Sequence, residues 1–405
     1  MDVSLNANQL ALSGSQIDLP LSKSVLNRQL LIHALAGKLP DLKEDPRLPE
    51  DSIILHRSLP QTNGAIDIEL AGTAMRFLSA YYAQTDGASV LLTGNERMQQ
   101  RPLGILVEAL IQLGGTINYE GRRGYPPIQI NGRKLKGGEL EIDGSVSSQY
   151  ISALLMIAPE MENGLKLHLK GKLVSKPYIQ MTLALMKSFG VESTWVNEAI
   201  VVQNQKYKVN GTFAIELDWS AASYFYSLVA LSPLGFTLYL NGLKMNSVQG
   251  DSVCVQLFEK LGVKTKETPL GLKIEKTQSP QKSKAFIDCS NFPDLAQTLA
   301  CTYAGLNISV ELEGLSTLRI KETDRIEALA EQLIKLGAEV SDEEDTLVIQ
   351  KGITSKKQSV LLEHYGDHRM AMAFAPIAAL GLELSWKNGE VVEKSFPHFW
   401  KEIKG

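Results

Sequence analysis

A recurring pattern of apolar and polar positions divides the chain into similar segments. In each segment an apolar run with a period near 3.6 residues ends at a glycine, and a short extended stretch follows, as in residues 106–114. This pattern is typical of a helix that stops at glycine and continues into a strand. The ending recurs at Gly114, Gly190, Gly262 and Gly337, with spacings of 76, 72 and 75 residues. Such spacing predicts an internally repeated unit of two strand and helix pairs.

The repeat extends in both directions along the chain. Backwards it reaches Gly64 after an apolar run over residues 53–59, and forwards it reaches residues 399–405, which indicates six units. The step from Gly64 to Gly114 is shorter, and residues 39–51 are rich in proline and charge, so we expect one trimmed unit and a loop there. Six units in 405 residues predict a mixed α/β chain with two domains of three units each.

Composition excludes several classes of protein. Hydrophobic residues make up 44% and charged residues 21%, which is ordinary for a globular protein. The net charge of -4 argues against a diffuse basic surface for nucleic acid. Residues 1–10 lack a leader-like pattern and no long apolar run occurs, so we expect a cytoplasmic protein without a membrane segment. Three unpaired cysteines, Cys254, Cys289 and Cys301, are expected to be reduced, buried and structural.

Positive charge recurs at predicted helix starts, where it is unfavourable unless an anion binds. Each case alone fits a solvated basic surface, but six together indicate a pocket for several carboxylate or phosphate groups. We expect Lys321 and Arg325 to lie four residues apart on one helix. Near Arg76, Gly72 lets backbone N–H groups approach a ligand. The cations are Lys23 with Arg28, Arg76, Arg101 before Pro102, Lys176, Lys321 with Arg325, and Arg369.

Hydroxyl and carboxyl groups accompany these cations. Residues 147–149, Ser-Ser-Gln before an apolar helix, can grip phosphate or simply cap that helix. Asp294 and Glu322 stand among the cations and can serve as general base and general acid. The alternatives, an N-terminal cap for Asp294 and a salt-bridge partner for Glu322, stay open. Residues 218–225 are expected to form a helix cap and a packing feature that marks a hinge halfway along the chain.

Other chemistries lack their patterns. The sequence contains no phosphate-binding P-loop, no nucleophile elbow and no zinc-protease helix signature, and the six histidines form no metal-binding pattern. We therefore expect neither a metal nor a redox cofactor.

From residue 19 to the end the chain resembles the 5-enolpyruvylshikimate-3-phosphate synthase family. The matching segments occur in the family's order, and they are residues 19–28, 71–76, 92–102, 143–149, 173–178, 249–251, 293–294, 319–325, 367–370 and 394–397. The resemblance implies an inside-out α/β barrel in each of two domains that close on their substrates, with three βαβαββ repeats per domain. It assigns residues 1–20 plus 219–405 to phosphoenolpyruvate and the catalytic carboxylates, and residues 21–218 to shikimate 3-phosphate.

The implied reaction transfers the enolpyruvyl group of phosphoenolpyruvate to the 5-hydroxyl of shikimate 3-phosphate and releases phosphate, a step of chorismate and aromatic amino acid biosynthesis. By resemblance Asp294 takes the hydroxyl proton, Glu322 delivers a proton to the methylene carbon, and Lys23 assists. The residues implied to hold shikimate 3-phosphate are Lys23, Ser24, Arg28, Ser147, Ser148, Gln149, Ser175, Tyr178, Asp294 and Lys321. Those implied to hold phosphoenolpyruvate are Lys23, Gly72, Arg101, Gln149, Arg325, Arg369 and Lys394. The implied protein is a monomer whose partners are these two small molecules.

The sequence departs from the family's pattern at three positions. Leu21 replaces a small residue, and Leu70 and Thr317 each replace asparagine. A related transferase acting on UDP-N-acetylglucosamine would carry a reactive cysteine before Pro102, but residues 93–101 contain none. A terminal-phosphate cyclase of related architecture would need a nucleotide-binding motif, and we find none. A non-catalytic anion-binding relative is the alternative that the three departures favour.

Overall fold

A computed structural model of the chain describes residues 1–42, 44–209, 213–355 and 359–405. The helices are α1 Lys23–Leu35, α2 Glu50–Ser58, α3 Gly72–Gln84, α4 Glu96–Gln99, α5 Gly104–Gln112, α6 Ser148–Ile157, α7 Lys176–Ser188, α8 Trp219–Leu231, α9 Cys254–Glu259, α10 Ala296–Leu306, α11 Arg325–Lys335, α12 His368–Phe374 and α13 Phe399–Lys404. The strands are β1 Val3–Leu5, β2 Gln16–Asp18, β3 Asn63–Asp67, β4 Ser89–Thr93, β5 Thr116–Tyr119, β6 Ile128–Asn131, β7 Gly138–Asp143, β8 Leu165–Lys170, β9 Ser193–Val196, β10 Ala199–Val202, β11 Thr237–Asn241, β12 Val263–Thr268, β13 Gly271–Lys276, β14 Ala285–Asp288, β15 Val310–Glu313, β16 Glu339–Asp342, β17 Leu347–Lys351, β18 Ser359–Leu362 and β19 Glu383–Trp386. The fold is mixed α/β, as predicted.

The chain divides into two compact units. Unit 1 comprises Met1–Ser22, Pro46–Pro49 and Glu216–Gly405, and unit 2 comprises Lys23–Asp45 and Glu50–Ile215. The short segment Pro46–Pro49 thus belongs to unit 1, although both of its neighbouring segments belong to unit 2. The domain boundaries inferred from the sequence, and the ligand assigned to each domain, stay predictions.

Unit 2 contains two sheets with the same strand order. They run β3-β4-β6-β5 and β7-β8-β10-β9. In each sheet the first two strands are parallel, so that Ile66 lies opposite Leu92 in one sheet and Leu140 lies opposite Leu167 in the other. The remaining strands pair antiparallel. Parallel neighbours require a crossover, which α3 and α6 provide, whereas β5 is followed directly by β6, and β9 by β10.

Unit 1 repeats this order and completes it with strands from the N-terminus. Its sheets run β12-β13-β11-β2, β14-β15-β17-β16 and β1-β19-β18. Strand β2 pairs in parallel with β11, so that Ile17 lies opposite Leu240. Strand β1 pairs antiparallel with β19, so that Ser4 lies opposite Ser385. The N-terminal segment is therefore part of unit 1.

The four glycines that mark the repeat occupy equivalent turns. Each follows a helix and precedes a strand hairpin, with φ of 105° at Gly114, 80° at Gly190, 85° at Gly262 and 83° at Gly337. At Gly262 a Cβ atom would also lie 1.9 Å from the Gln278 carbonyl oxygen, so that turn has no room for a side chain. The predicted repeat is visible in these four positions, while the total of six units stays a prediction.

One helix in each unit, α6 in unit 2 and α8 in unit 1, is almost completely buried. Twelve of the thirteen residues of α8 are buried, and in α6 all residues but Gln149 are buried, so these helices are covered on all sides. The strands instead alternate, as in β8 and β13, where every second residue is buried. The sheets that contain β8 and β13 therefore bury one face of these strands and leave the other face less buried. At roughly 1.5–3 kcal/mol for each large apolar side chain buried, this packing is the main stabilising term.

Two further predictions can be compared with the structure. Cys254, Cys289 and Cys301 are free thiols in the buried interior, as predicted. Asp218 caps helix α8 by accepting a hydrogen bond from the Ala221 N–H at 2.9 Å, also as predicted. Across the described parts of the chain, no helix combines the length and apolar character that crossing a membrane requires.

Candidate functional site

Helix α1 presents two of the predicted cations of unit 2. Lys23 opens the helix and pairs with Asp51 of α2, with 3.0 Å between Nζ and Oδ2. The lysine side chain keeps 14% of its surface exposed and Asp51 keeps 5%, so both groups of the ion pair are largely shielded from solvent. Asp51 holds Lys23 in place at a helix start where the dipole disfavours a positive charge.

Arg28, one turn further along α1, is a buried cation with neutral partners. Its Nε donates to Thr182 Oγ1 at 2.7 Å, and its two terminal nitrogens donate to the Ser24 carbonyl at 2.8 Å and to Ser152 Oγ at 3.1 Å. No carboxylate among the described residues forms an ion pair with it. Burial lowers the pKa of Arg28 to about 10, so the guanidinium stays charged at neutral pH without an opposite charge.

Gly72 at the start of α3 makes room for the Arg101 guanidinium. A Cβ atom at Gly72 would lie 2.6 Å from Arg101 Nη1, so only glycine allows this approach. Arg76 fixes the surrounding backbone by donating to the Gly72 carbonyl at 3.2 Å and to the Pro102 carbonyl at 2.9 Å. Gln149 adds a contact from α6, because its Nε2 donates to Thr73 Oγ1 at 3.2 Å.

Hydroxyl groups surround two further helix starts in unit 2. Ser147 caps α6, accepting from the Gln149 N–H at 3.3 Å, and Ser148 begins the helix in a buried position. Ser175 precedes α7 in the left-handed region, with φ of 54°, and its side chain does not cap the helix. A non-glycine residue in this conformation costs about 1–3 kcal/mol and commonly marks a functional position. Tyr178 is half-buried in the first turn of α7.

Arg325 organises the acidic residues of unit 1. Its Nε donates to Asp367 Oδ2 at 2.7 Å, its Nη2 donates to Glu322 Oε2 at 3.1 Å, and its Nη1 donates to Asp294 Oδ1 at 3.3 Å. Asp367 is fully buried and also caps α12 through the Arg369 N–H at 2.9 Å. These three carboxylates raise the pKa of Arg325 although burial acts against them.

Each of the two candidate catalytic carboxylates is held by a second cation. Arg369 Nη2 donates to Asp294 Oδ2 at 2.8 Å, and Lys394 Nζ lies 3.2 Å from Glu322 Oε1. Glu322 is nearly buried, whereas the Asp294 side chain is 19% exposed. We call Asp294, Glu322, Arg325, Asp367, Arg369 and Lys394 the unit 1 cluster. It places two carboxylates between cations that can bind an anion.

Two details of the predicted helix starts were wrong. Helix α11 begins at Arg325 with Asp324 as its cap, so Lys321 and Glu322 precede the helix and do not share a helical face with Arg325. Asp324 fixes the start of α11, because its carboxylate accepts hydrogen bonds from the backbone N–H groups of residues 326 and 327, both at 3.1 Å. Helix α5 begins at Gly104, so Pro102 does not occupy its first position. Lys321 is half-buried beside the helix start.

Sequence reasoning missed the residues that hold the cations in place. Asp51 pairs with Lys23 from 28 residues away, and Asp367 pairs with Arg325 from 42 residues away. Neither contact leaves a local signal, since both residues resemble ordinary first-turn or capping acids. The Tyr224 hydroxyl, which approaches Arg369 Nη1 at 3.5 Å, was assigned to packing for the same reason.

The three departures from the family pattern have different settings. Leu21 is buried and forms an isolated antiparallel bridge with Leu217. Leu70 is half-buried just before α3, and Thr317 is half-buried in a short 3-10 turn before α11.

Within residues 1–42, 44–209, 213–355 and 359–405, no group of three or more histidine, cysteine or acidic side chains could hold a metal ion.

The fold and these side chains define a class of protein, a mixed α/β protein in which cations and carboxylates alternate in a buried cluster. A family model described as EPSP synthase (3-phosphoshikimate 1-carboxyvinyltransferase) matches residues 9–403. The chain therefore belongs to the EPSP synthase family.

Similar proteins agree with this assignment. A 3-phosphoshikimate 1-carboxyvinyltransferase of Bacteroides fragilis strain YCH46 is 45% identical over 392 residues, which cover 96% of this chain and 94% of that protein. The protein of the same name from Mannheimia succiniciproducens is 36% identical over 418 residues, covering 96% of this chain and 95% of that protein. A solved EPSP synthase from Acinetobacter baumannii superimposes with a TM-score of 0.74 over 99% of this chain and 97% of that chain, at 21% identity, which is a likeness of fold.

Proposed function

We propose that this chain transfers the enolpyruvyl group of phosphoenolpyruvate to the 5-hydroxyl of shikimate 3-phosphate. Phosphate is released, in a step toward chorismate and the aromatic amino acids. The observation that carries the proposal is the unit 1 cluster, in which Asp294 and Glu322 each contact two cations at 2.8–3.3 Å. Carboxylates in that setting are suited to moving protons next to a bound anion.

The proposed ligands of shikimate 3-phosphate are mainly residues of unit 2. Arg28 supports this role, because a buried guanidinium with neutral partners gains most from a phosphate group. Ser175, whose backbone lies in the left-handed region, and the hydroxyl at the start of α6 would donate hydrogen bonds to the same phosphate. The full proposed set is Lys23, Ser24, Arg28, Ser147, Ser148, Gln149, Ser175, Tyr178, Asp294 and Lys321.

The proposed ligands of phosphoenolpyruvate are Lys23, Gly72, Arg101, Gln149, Arg325, Arg369 and Lys394. Arg369 and Lys394 contact the two candidate catalytic carboxylates, so an anion that binds these cations also changes the surroundings of Asp294 and Glu322. As the anion neutralises the cations, Glu322 is more readily protonated, which is the state that a proton donor needs.

In the proposed reaction Glu322 adds a proton to the methylene carbon of phosphoenolpyruvate, and positive character develops at the adjacent enol carbon. The 5-hydroxyl oxygen of shikimate 3-phosphate bonds to that carbon while Asp294 takes the hydroxyl proton, giving a tetrahedral intermediate. The C–O bond to phosphate then breaks, and phosphate leaves with the proton that Asp294 had taken. Deprotonated Glu322 takes a proton back from the methyl group, which restores the double bond. Lys23, held by Asp51, assists by countering negative charge on the reacting groups. Positioning and electrostatic stabilisation supply much of the rate in such a site.

We further infer two domains, residues 1–20 plus 219–405 and residues 21–218, each an inside-out α/β barrel of three βαβαββ repeats. The shared strand order of four sheets and the buried helices support this inference. The proposed protein is a cytoplasmic monomer that uses no cofactor and binds no nucleic acid.

The experiment is phosphate release by the purified protein with both substrates. We expect release that requires shikimate 3-phosphate and phosphoenolpyruvate together, and that is lost in Lys394→Met. Lys335→Met, a change of the same kind on the exposed end of α11, should keep wild-type release.

Absence of release with both ligands still bound would instead favour a non-catalytic anion-binding protein. Release with UDP-N-acetylglucosamine in place of shikimate 3-phosphate would favour the related transferase.

A further inference from the structure

Unit 1 contains a buried carboxyl group that the proposed reaction does not use. Asp251 is 3% exposed and stands in the 3-10 turn Gly250–Val253 that leads into α9. The hydroxyl of Ser220, in the first turn of α8, donates a hydrogen bond to its Oδ2. Burying a carboxyl group is costly when it is ionised, so its position next to a catalytic cluster needs an explanation.

Helix α8 connects Asp251 to the unit 1 cluster. Ser220 and Tyr224 are four residues apart and therefore share a face of α8, about 6 Å apart along its axis. Tyr224 Oη approaches Arg369 Nη1 at 3.5 Å, and Arg369 Nη2 donates to Asp294 Oδ2 at 2.8 Å. One turn of α8 thus connects Asp251 to the pair formed by Arg369 and Asp294.

Charged and polar groups of several elements act on Asp251. Asp294, on the turn before α10, and Asp218, at the start of α8, are negative, while Arg369 of α12 is positive. Ser220 contributes a neutral hydroxyl. Cys254 of α9 contributes a thiol, whose pKa burial raises well above its ordinary value, so it too is neutral.

These surroundings increase the uncharged fraction of Asp251 near neutral pH. Burial, and after it the charge of Asp294, raise the pKa of Asp251 to about 7, against the opposing effects of Ser220 and Arg369. Because ionised Asp251 would add a third negative charge beside Asp294 and Asp218, its ionisation reduces the positive potential around Arg369.

We propose that Asp251 is a positioning residue for Arg369: its carboxyl group is uncharged while Arg369 binds an anionic substrate, and its ionisation weakens that binding. The proposal rests on the proposed function, in which Arg369 holds phosphoenolpyruvate. It extends that function by assigning a pH-dependent affinity to a residue that does not touch the substrate.

The test compares the KM for phosphoenolpyruvate of the wild type with that of Asp251→Asn from pH 6 to pH 8.5. Asparagine matches the shape of the uncharged carboxyl group and can still accept a hydrogen bond from Ser220. We expect equal KM values at the acidic end, and a wild-type KM about three- to tenfold above that of the variant at the basic end. The ratio of the two enzymes cancels the titration of the substrate's own phosphate group.

Asp18→Asn is the matched control, since it removes an exposed carboxylate from β2 of the same unit and should keep the wild-type profile. A ratio of KM values that stays constant across the pH range would overturn the proposal. So would an equal loss of kcat at every pH without a change in the KM ratio, which is what a merely structural residue would give.

Ser220→Ala keeps the proposal testable if Asp251→Asn does not fold. The Ser220 hydroxyl stabilises ionised Asp251, so its removal should move the rise in KM to higher pH by roughly half a unit. An unmoved rise in a folded, active Ser220→Ala enzyme would count against the proposal. Absence of phosphate release from the wild type would overturn the proposed function itself, whereas release with a constant KM ratio would overturn only the role of Asp251.

Discussion

Arg28 in unit 2 and Arg325 in unit 1 are both buried arginines, but their partners differ in kind. Arg28 donates to hydroxyl and carbonyl oxygens, whereas Arg325 contacts three carboxylates within 3.3 Å. Burial lowers the pKa of Arg28 to about 10, while the pKa of Arg325 is raised by Asp367, Glu322 and Asp294.

The difference separates two uses of a buried charge. A buried charge without an opposite charge raises the free energy of the folded protein until a ligand supplies one, so Arg28 favours tight binding of an anion. A buried charge surrounded by carboxylates is neutralised in advance, so we expect Arg325 to stabilise the fold and to orient the proposed catalytic acids. Specific substitutions should separate these two effects.

Replacement of Glu322 by glutamine tests whether unit 1 performs proton transfer. Glutamine keeps the shape but cannot deliver a proton, so we expect kcat to fall about 10²–10⁴-fold while the affinity for shikimate 3-phosphate changes less than about threefold. Steady-state kinetics and equilibrium binding provide the two measurements. Glu327→Gln, on the exposed first turn of α11, is the matched control and should keep full turnover. Comparable losses of turnover and of binding would instead identify Glu322 as a structural salt-bridge residue.

Replacement of Arg325 by methionine tests whether an arginine surrounded by carboxylates stabilises the folded protein. The change leaves three carboxylates near one another without their shared cation, so the free energy of unfolding of unit 1 should fall by ~3–5 kcal/mol. Chemical denaturation followed by spectroscopy measures it. Arg319→Met removes a half-exposed arginine that pairs with Asp324 and Asp342, and it should cost less than about 1 kcal/mol. Equal effects of the two changes would contradict the comparison.

Replacement of Arg28 by methionine should not lower the free energy of unfolding, in contrast to replacement of Arg325. Its partners Ser152 and Thr182 already bond to each other at 2.8 Å, so removing the guanidinium leaves them satisfied. We expect unit 2 to be as stable as the wild type or more stable by up to ~1 kcal/mol. The affinity for shikimate 3-phosphate should fall roughly 10- to 100-fold, since charge-assisted hydrogen bonds are lost. A variant that is both destabilised and unchanged in affinity would show that Arg28 is a packing residue.

Replacement of Gly72 by alanine should have the smallest effect. The new methyl group would push the Arg101 guanidinium aside, and because that group ends a flexible side chain, we expect the KM for phosphoenolpyruvate to rise only about two- to fivefold. A double-mutant cycle with Arg101→Met shows whether this rise in KM comes from displacement of Arg101. If it does, Gly72→Ala should not raise the KM further in an enzyme that already carries Arg101→Met. If the two substitutions changed the KM additively, the effect of Gly72→Ala would instead come from a change in the backbone.

The sequence predicted those parts of the molecule that depend on local chemistry. The glycines at the ends of the repeats require positive φ, and the cap at Asp218 needs a short acidic side chain, so each leaves a mark in the sequence. The start of α11 was misjudged, because Lys321 and Glu322 continue the helical pattern but Asp324 caps the helix after them. The pairing of Lys23 with Asp51, and of Arg325 with Asp367, depends on packing between distant segments, which no local pattern records.

The pairing of β1 with β19 has a consequence for synthesis of the chain. Residues 3–5 find their partners only at residues 384–386, and β2 finds its partner at residues 239–241. While the chain emerges from the ribosome, all residues of unit 2 are made by residue 215, whereas β2 waits for β11 and β1 waits for β19 near the end of translation. We therefore expect unit 1 to complete its sheets after unit 2, and to be the part of the nascent chain with the greater exposure to aggregation.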